Sequence, residues 1–209
     1  MDVLKRRNFR KLALHSKVVL TTSIVLIVLG TVLLKFTEHI SWMGAFFHSI
    51  SARTAGFSTY SIGEFTNAGL FVLCVLMFIG ASPGSTGGGI KTSTFFVLAQ
   101  STRSMFSKQA VGAFKRSISS QNVSKAYAIS MLSALVVIVA TFLLCVLEPE
   151  FQFIQLLFEV ISAFGTVGLS TGITPDLSGA GKLVIILVMF IGRLGAMTLI
   201  SMWIDDRKR

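Results

Sequence analysis

The chain repeats itself at a spacing of 112 residues, and this repeat limits its possible folds more than any other feature. Thr54-Ala55-Gly56-Phe57-Ser58-Thr59 lines up with Thr166-Val167-Gly168-Leu169-Ser170-Thr171, and Met77-Phe78-Ile79-Gly80 recurs identically as Met189-Phe190-Ile191-Gly192. At the same ungapped offset Glu38 falls on Glu150. Both copies keep one order: apolar segment, acidic residue, short aromatic stretch, Thr-x-Gly element, apolar segment. The period far exceeds that of a solenoid unit, so it reads as a duplicated module. A Thr-x-Gly run behind an aromatic helix, set between two membrane spans, is the plan of an ion-selective pore loop.

The spans follow from composition. Hydrophobic residues make up 53% of the chain and charged residues 13%, and the mean hydropathy of +0.77 lies outside the range of ordinary soluble domains. Residues 18–36, 127–147 and 183–203 are apolar runs, each of about the 20 residues needed to cross the hydrocarbon core. A fourth run, 68–79, is too short alone. It leads through Gly80-Ala81-Ser82-Pro83-Gly84-Ser85-Thr86-Gly87-Gly88-Gly89 into a further apolar stretch, 90–98, which predicts a broken helix.

The net charge of +10 would suggest nucleic acid in a soluble protein, but its placement reads as a topology signal. Lys5, Arg6, Arg7, Arg10, Lys11 and Lys17 precede the first span, and Arg103, Lys108, Lys115, Arg116 and Lys125 separate the second from the third. Arg207, Lys208 and Arg209 close the chain. With four spans these segments share one side, which the positive-inside rule makes the cytoplasm. The loops assigned outside carry Glu38, Glu64, Glu148, Glu150, Glu159 and Asp176. No recognition module accompanies the charge, so nucleic acid is not an expected partner. Cys74 and Cys145 sit inside apolar spans without metal-binding spacing and read as packing residues.

The predicted organisation is a basic cytoplasmic segment (1–17), a first span–pore–span module (18–102) with a Gly-rich loop at 80–89, and a basic cytoplasmic linker (103–125). A second module (126–204) and a cytoplasmic tail (205–209) complete it. Within each module about ten residues of pore helix reach only part way across a bilayer. Such a helix must dip in and return, and its non-helical return is tolerable only where it lines a watery, protein-walled path. Thr54, Ala55, Gly56 and Phe57 form one return strand, and Thr166, Val167, Gly168 and Leu169 the other. Backbone carbonyls there, those of Thr54, Gly56, Thr166 and Gly168 above all, would replace the hydration shell of a cation. No titrating side chain is required.

The Gly-rich break resembles a phosphate-binding loop only superficially. Ile90 separates Gly89 from Lys91, where that loop needs lysine directly after its last glycine, and an apolar helix rather than a strand precedes it. The equivalent stretch of the second module, Gly192-Arg193-Leu194-Gly195-Ala196, is expected to stay helical. The modules therefore differ below the filter, which suggests a gate built from Gly80, Gly84, Gly87, Gly88, Gly89 and Arg193; a simple packing kink is the bland reading. Arg193, a cation within a span, must face a cavity or a partner. It either raises a barrier below the filter or hydrogen-bonds loop carbonyls and holds the spans together. Arg53 and His48 are expected toward the outer vestibule or at a subunit contact, with His48 structural.

With these motifs in view, the chain resembles the C-terminal half of a KtrB-type subunit of the Trk/Ktr/HKT superfamily of potassium transporters. The residues that carry the likeness are Ser51-Ala52-Arg53-Thr54-Ala55-Gly56-Phe57-Ser58-Thr59, Gly84-Ser85-Thr86-Gly87-Gly88-Gly89-Ile90-Lys91-Thr92 and Phe164-Gly165-Thr166-Val167-Gly168-Leu169-Ser170-Thr171. The resemblance implies four span–pore–span repeats around one pore, with Gly56 and Gly168 as the filter glycines of the third and fourth. It also implies a gate loop at 80–89, a gating arginine at Arg193, and K⁺ as the transported ion with a Na⁺ dependence in some members. No cofactor would be bound by this chain. Implied partners are the first two repeats, a second complete subunit in a homodimer, and a cytosolic ring of nucleotide-binding regulatory subunits.

The expected fold is thus all-α integral membrane: two K⁺-channel-like span–pore-helix–span modules, one span broken by a Gly-rich loop, in the plasma (inner) membrane with both termini cytoplasmic. The expected function is K⁺ transport as part of a larger assembly. Because two strands cannot give fourfold coordination, the chain reads as a truncation, as a half that joins a separately supplied half, or as a half that pairs with itself. Met1 lies in the basic linker before the third repeat, which favours a start inside a longer reading frame. A non-conducting fragment or scaffold is the alternative. A small-solute secondary transporter fits less well, since the modules run parallel and no span carries an acidic residue. No nucleophile–base pair or metal cluster suggests an enzyme.

Overall fold

A computed structural model describes residues 13–107, 112–113 and 116–195. The first element, α1 (Leu14–Thr37), is a 24-residue helix, about 36 Å long at 1.5 Å per residue. Three of its four threonines turn back on the helix: Thr22, Thr31 and Thr37 donate to the carbonyls of Val18, Ile27 and Leu33 at 2.8, 2.7 and 3.0 Å. The hydroxyls thus add no unsatisfied group to an apolar rod.

The short helix α2 (Trp42–Ser51) starts at Ser41, whose side chain accepts from the Gly44 amide at 3.0 Å. It then runs back along α1. Ser49 Oγ donates to Ile27 O at 2.9 Å, and Arg53 Nη1 to Ser23 O at 3.2 Å. Those carbonyls lie about 15 and 21 Å below the end of α1 at helical rise. The chain next climbs back until Tyr60 Oη reaches Ser41 Oγ at 3.4 Å. A re-entrant path, inferred above from helix length, is drawn here by hydrogen bonds.

The spans that follow differ between modules. In the first, α3 (Asn67–Phe78) stops at the Gly-rich stretch and α4 (Thr92–Ser107) resumes beyond it. A two-residue antiparallel pairing of Gly112–Ala113 with Arg116–Ser117 follows. The second module comprises α5 (Ser120–Leu147), the 13-residue α6 (Phe153–Gly165) and α7 (Gly179–Leu194). By length and composition α1, from His15, and α5 can cross a membrane. Spans predicted at 18–36 and 127–147 are therefore found, though α5 begins seven residues earlier and takes up part of the supposed linker.

One carboxylate per module clamps that module's first span to its second. Glu38, at the end of α1, accepts from Thr66 N and Oγ1 at 2.9 and 2.7 Å. Glu148, at the end of α5, accepts from Ser178 N and Oγ at 2.9 and 2.5 Å. Thr66 and Ser178 are the N-caps of α3 and α7, so each buried carboxylate is held by groups that need an acceptor. One turn on, Gly69 and Gly181 leave room for it. A Cβ there would fall 1.9 and 2.4 Å from a carboxylate oxygen.

This clamp corrects the ungapped repeat. Glu38 corresponds to Glu148, 110 positions on, whereas Glu150 lies exposed in the following turn. Leu34 and Leu144, both fully buried, share the 110 spacing. One additional residue lies in the turn before α6 and one at its C-terminal end, after which the 112 register is regained. A second correction concerns the last span. The helix expected to continue through Ala196 ends at Leu194, where Gly195 adopts φ +77° and returns its amide to Ile191 O. The rest of the run to 203, the tail at 205–209 and the basic residues before 13 lie outside the described residues.

The core centres on α6, which packs against α3, α5 and α7 and buries Leu156, Phe158, Val160 and Phe164. Its counterpart α2 packs on α1 and touches α3, leaving Trp42, Met43 and Phe46 exposed. Outward faces of α1, α5 and α7 also expose large apolar side chains, among them Val28, Ile138 and Phe190. Apolar surface this continuous calls for lipid or protein against it.

Candidate filter and the loop beneath it

The two return strands leave their pore helices by the same backbone device. Thr54 and Thr166 are the non-glycine residues with positive φ, at +77° and +50° among the described residues, and Gly56 and Gly168 follow two positions later at +76° and +95°. A β-branched residue in the left-handed region is a costly outlier. Alternating left-handed residues at i and i+2 brings successive carbonyls toward one side of the chain, the arrangement a row of cation ligands requires. Sequence inspection picked out the glycines; nothing in composition announced the threonine conformations.

Serines on the pore helices tie the strand ends down. Ser51 Oγ hydrogen-bonds to Phe57 O and accepts the Phe57 amide at 2.8 Å. Ser162 Oγ donates to Leu169 O at 2.5 Å. The strands also approach one another. A Cβ on Gly56 would sit 2.0 Å from Val167 O, and one on Gly168 would lie 4.0 Å from Gly56 Cα. All eight predicted strand residues are therefore gathered in one place. Ala55, Phe57 and Gly168 are exposed there, while Val167 and Leu169 are buried.

The Gly-rich loop lies directly under both threonines. The Gly88 amide donates to Thr166 Oγ1 at 2.8 Å, and a Cβ on Gly87 would fall 2.8 Å from Thr54 Oγ1. The loop's base is closed by Ile90 N to Phe78 O (3.1 Å) and Thr92 N to Ala81 O (3.3 Å). Gly80 and Gly88 touch so closely that a Cβ on Gly80 would meet Gly88 O at 2.2 Å. Gly84 and Gly89 turn the chain with φ of +82° and +72°.

Two cations bond the loop's carbonyls. Arg193 Nη1 donates to Thr86 O, and Lys91 Nζ to Gly87 O and, at 3.4 Å, to Ser85 O. Arg193 meets the loop as its place within the span predicts, and Lys91, which follows the glycine run, is a second cation on the same carbonyls. Arg53 departs from expectation. It reaches the middle of α1 at Ser23 instead of the outer vestibule. His48 is fully buried among the rings of Phe47, Tyr60 and Phe65, at centroid distances of 5.8, 5.9 and 5.4 Å.

Glu159 is the largest correction to the sequence reading. Assigned to an outside loop, it lies instead within α6, is buried, and accepts hydrogen bonds from the segment that follows the second return strand: Ser170 Oγ, Thr171 N, Thr171 Oγ1 and Thr174 Oγ1 at 2.8, 2.8, 3.0 and 2.7 Å. An acidic residue at helical spacing within an aromatic stretch was the available signal. Among the described residues no three His, Cys, Asp or Glu side chains converge on a point that could hold a metal.

Comparison with known proteins places this geometry. Residues 8–205 match the family model described as TrkH, cation transport protein. The Ktr system potassium uptake protein B of Vibrio alginolyticus is 41% identical over 94% of this chain and 46% of its own length. A potassium/sodium uptake protein of Enterococcus hirae is 38% identical over 95% of this chain and 48% of its own. The crystal structure of the potassium transporter TrkH from Vibrio parahaemolyticus superposes with a TM-score of 0.69 over 90% of this chain and 44% of that one. At 22% identity that likeness is one of fold. The chain spans about half the length of the curated relatives it matches.

Proposed function

Since this chain belongs to the TrkH family of cation transport proteins, we propose that it supplies two of the four filter strands of a K⁺ uptake pathway and the gate beneath them. The observation that carries this reading is the paired backbone alternation at Thr54/Gly56 and Thr166/Gly168, with both threonine side chains resting on the Gly-rich loop. Carbonyls of Thr54, Gly56, Thr166 and Gly168 would replace the hydration shell of K⁺, selecting by number and spacing and not by titrating groups. A relative named for both potassium and sodium uptake supports Na⁺ as a second or coupled ion. No catalytic role is assigned to the chain.

In the gate, the loop at 80–89 blocks the path below the filter, and Arg193 with Lys91 fixes it there by bonding Ser85, Thr86 and Gly87 carbonyls. Two cations below the filter would also oppose passage of another. Opening requires these bonds to exchange for water, and the loop's glycines let the backbone rearrange without steric penalty.

Packing supports the half-ring. The pore helix α6 is walled by α3 of the preceding module, whereas the equivalent face of α2 exposes Trp42, Met43 and Phe46. At the other end α7 exposes Leu183, Ile186 and Phe190, where the next pore helix would pack. Two further modules would cover both faces and complete the ring. A plasma-membrane, multi-pass arrangement with cytoplasmic termini follows from the basic segments. Dimerisation of complete subunits and a cytosolic nucleotide-binding ring are partners by family relation.

Growth rescue of a K⁺-uptake-deficient bacterium at limiting K⁺ tests the reading. The chain would be expressed alone and together with the N-terminal half of the Vibrio alginolyticus relative. Rescue that requires both halves is the expected result. Absence of rescue in either case, with both halves present in the membrane, would overturn transport and leave a non-conducting fragment.

A further inference from the structure

The pore helices keep a register of their own. Ser51 and Ser162, which tie down the two strand ends, lie 111 positions apart, and the same offset carries His48 onto Glu159. Each of these faces the matching threonine of its strand. His48 Nε2 lies 3.5 Å from Thr59 Oγ1, and Glu159 Oε1 takes Thr171 Oγ1 at 3.0 Å. The 112-residue alignment hid the pairing, since it sets Glu159 against Phe47.

What the two residues do at this post is different. Glu159 collects four donors from Ser170, Thr171 and Thr174. Behind the strand at this point lies a cleft of about 270 Å³ bordered by Glu159, Ile185 and Met189. Val167 and Leu169 pack into the core, but beyond them Ser170 and Thr174 border this cleft, so hydrogen bonds to Glu159 carry the outer end of the strand. His48 makes one long polar contact, its Nδ1 is buried without a partner, and three aromatic rings enclose it. It holds its strand by filling space.

We propose that Glu159 is a specificity-determining positioning residue: its carboxylate fixes the outer end of the second filter strand, while His48 serves the first strand chiefly by packing. This rests on the filter reading given above. Because a carbonyl cage discriminates between K⁺ and Na⁺ by the placement and number of its ligands, loosening the strand from behind alters discrimination without removing any ligand.

The test is competition between K⁺ and Na⁺ uptake in cells carrying this chain with the N-terminal half of the Vibrio alginolyticus relative. Glu159→Ala is expected to lower the K⁺/Na⁺ uptake ratio about tenfold, the scale of one lost buried acceptor. Glu159→Gln keeps an oxygen for Ser170 and Thr171 and is expected to recover most of that ratio. A native ratio in Glu159→Ala, or equal loss in both variants, overturns the proposal. A second measurement stands apart from transport: amide hydrogen exchange at Thr171 in the purified chain. There Glu159→Ala should exchange about tenfold faster or more, as the acceptor of that amide is gone. Unchanged protection overturns the bracing role. If the wild-type assembly takes up no K⁺, the transport reading fails, and the Thr171 exchange still decides this one.

Discussion

The two glycines proposed for the filter, Gly56 and Gly168, are not equivalent, and the difference is visible only at atomic spacing. Each has a positive φ, so any side chain brings strain of about 1–2 kcal/mol. Gly56 additionally faces Val167 O, 2.0 Å from where a Cβ would stand, whereas Gly168 has free space out to 4.0 Å. Gly56→Ala should therefore abolish uptake in the assembled transporter by forcing the strands apart. Gly168→Ala should leave uptake measurable with a lowered preference for K⁺ over Na⁺. Uptake competition distinguishes them, and matching phenotypes would disprove the asymmetry. The clamp gives a stability test on the same scale: Glu38→Ala removes the carboxylate that accepts from the Thr66 amide and hydroxyl, at about 0.5–1.5 kcal/mol per hydrogen bond. The variant should melt earlier in detergent, as should Glu148→Ala.

Among the elements, the broken span separates the modules. Helix α3 ends where Gly80, Pro83 and Gly84 make helix unfavourable, and the freed backbone is satisfied locally by Phe78 O, Ala81 O and Thr166 Oγ1. The break was legible in the sequence, because glycine and proline act locally. Its attachment to Lys91 was not, since a lysine beside a glycine run has many possible partners. Arg193→Gln and Lys91→Gln each remove a positive charge and donors from the loop, and initial uptake velocity should rise severalfold while the K⁺/Na⁺ ratio holds. A fall in velocity would argue that the cations support the pathway instead of obstructing it. The second module's lower end also needed the structure. Gly195 could have continued the helix, yet it takes φ +77° and ends α7.

For the whole molecule, the exposed face of α2 is the informative surface. On α6, which α3 packs against, the counterpart of Phe46 is Leu157, packed against the core, so a charge placed at Phe46 should disturb assembly and spare the chain's own fold. Phe46→Asp is expected to prevent co-purification with the N-terminal half of the Vibrio alginolyticus relative and to abolish growth rescue. Its melting temperature alone should stay close to that of the parent. Unimpaired co-purification would place the proposed further modules elsewhere.

The sequence by itself determined the apolar rods, the duplicated order of elements, the site of the helix break and the two glycine strands. These rest on local physics: hydropathy over about twenty residues, and the conformational limits of glycine and proline. Tertiary structure decided the register. Glu148 in place of Glu150, His48 opposite Glu159 and Lys91 on the loop all depend on which groups meet across the fold. One extra residue before the second pore helix and one at its C-terminal end slip the alignment by one and then two positions, and no single offset can register that. Buried polar groups resolve it, because each must find its partner in three dimensions.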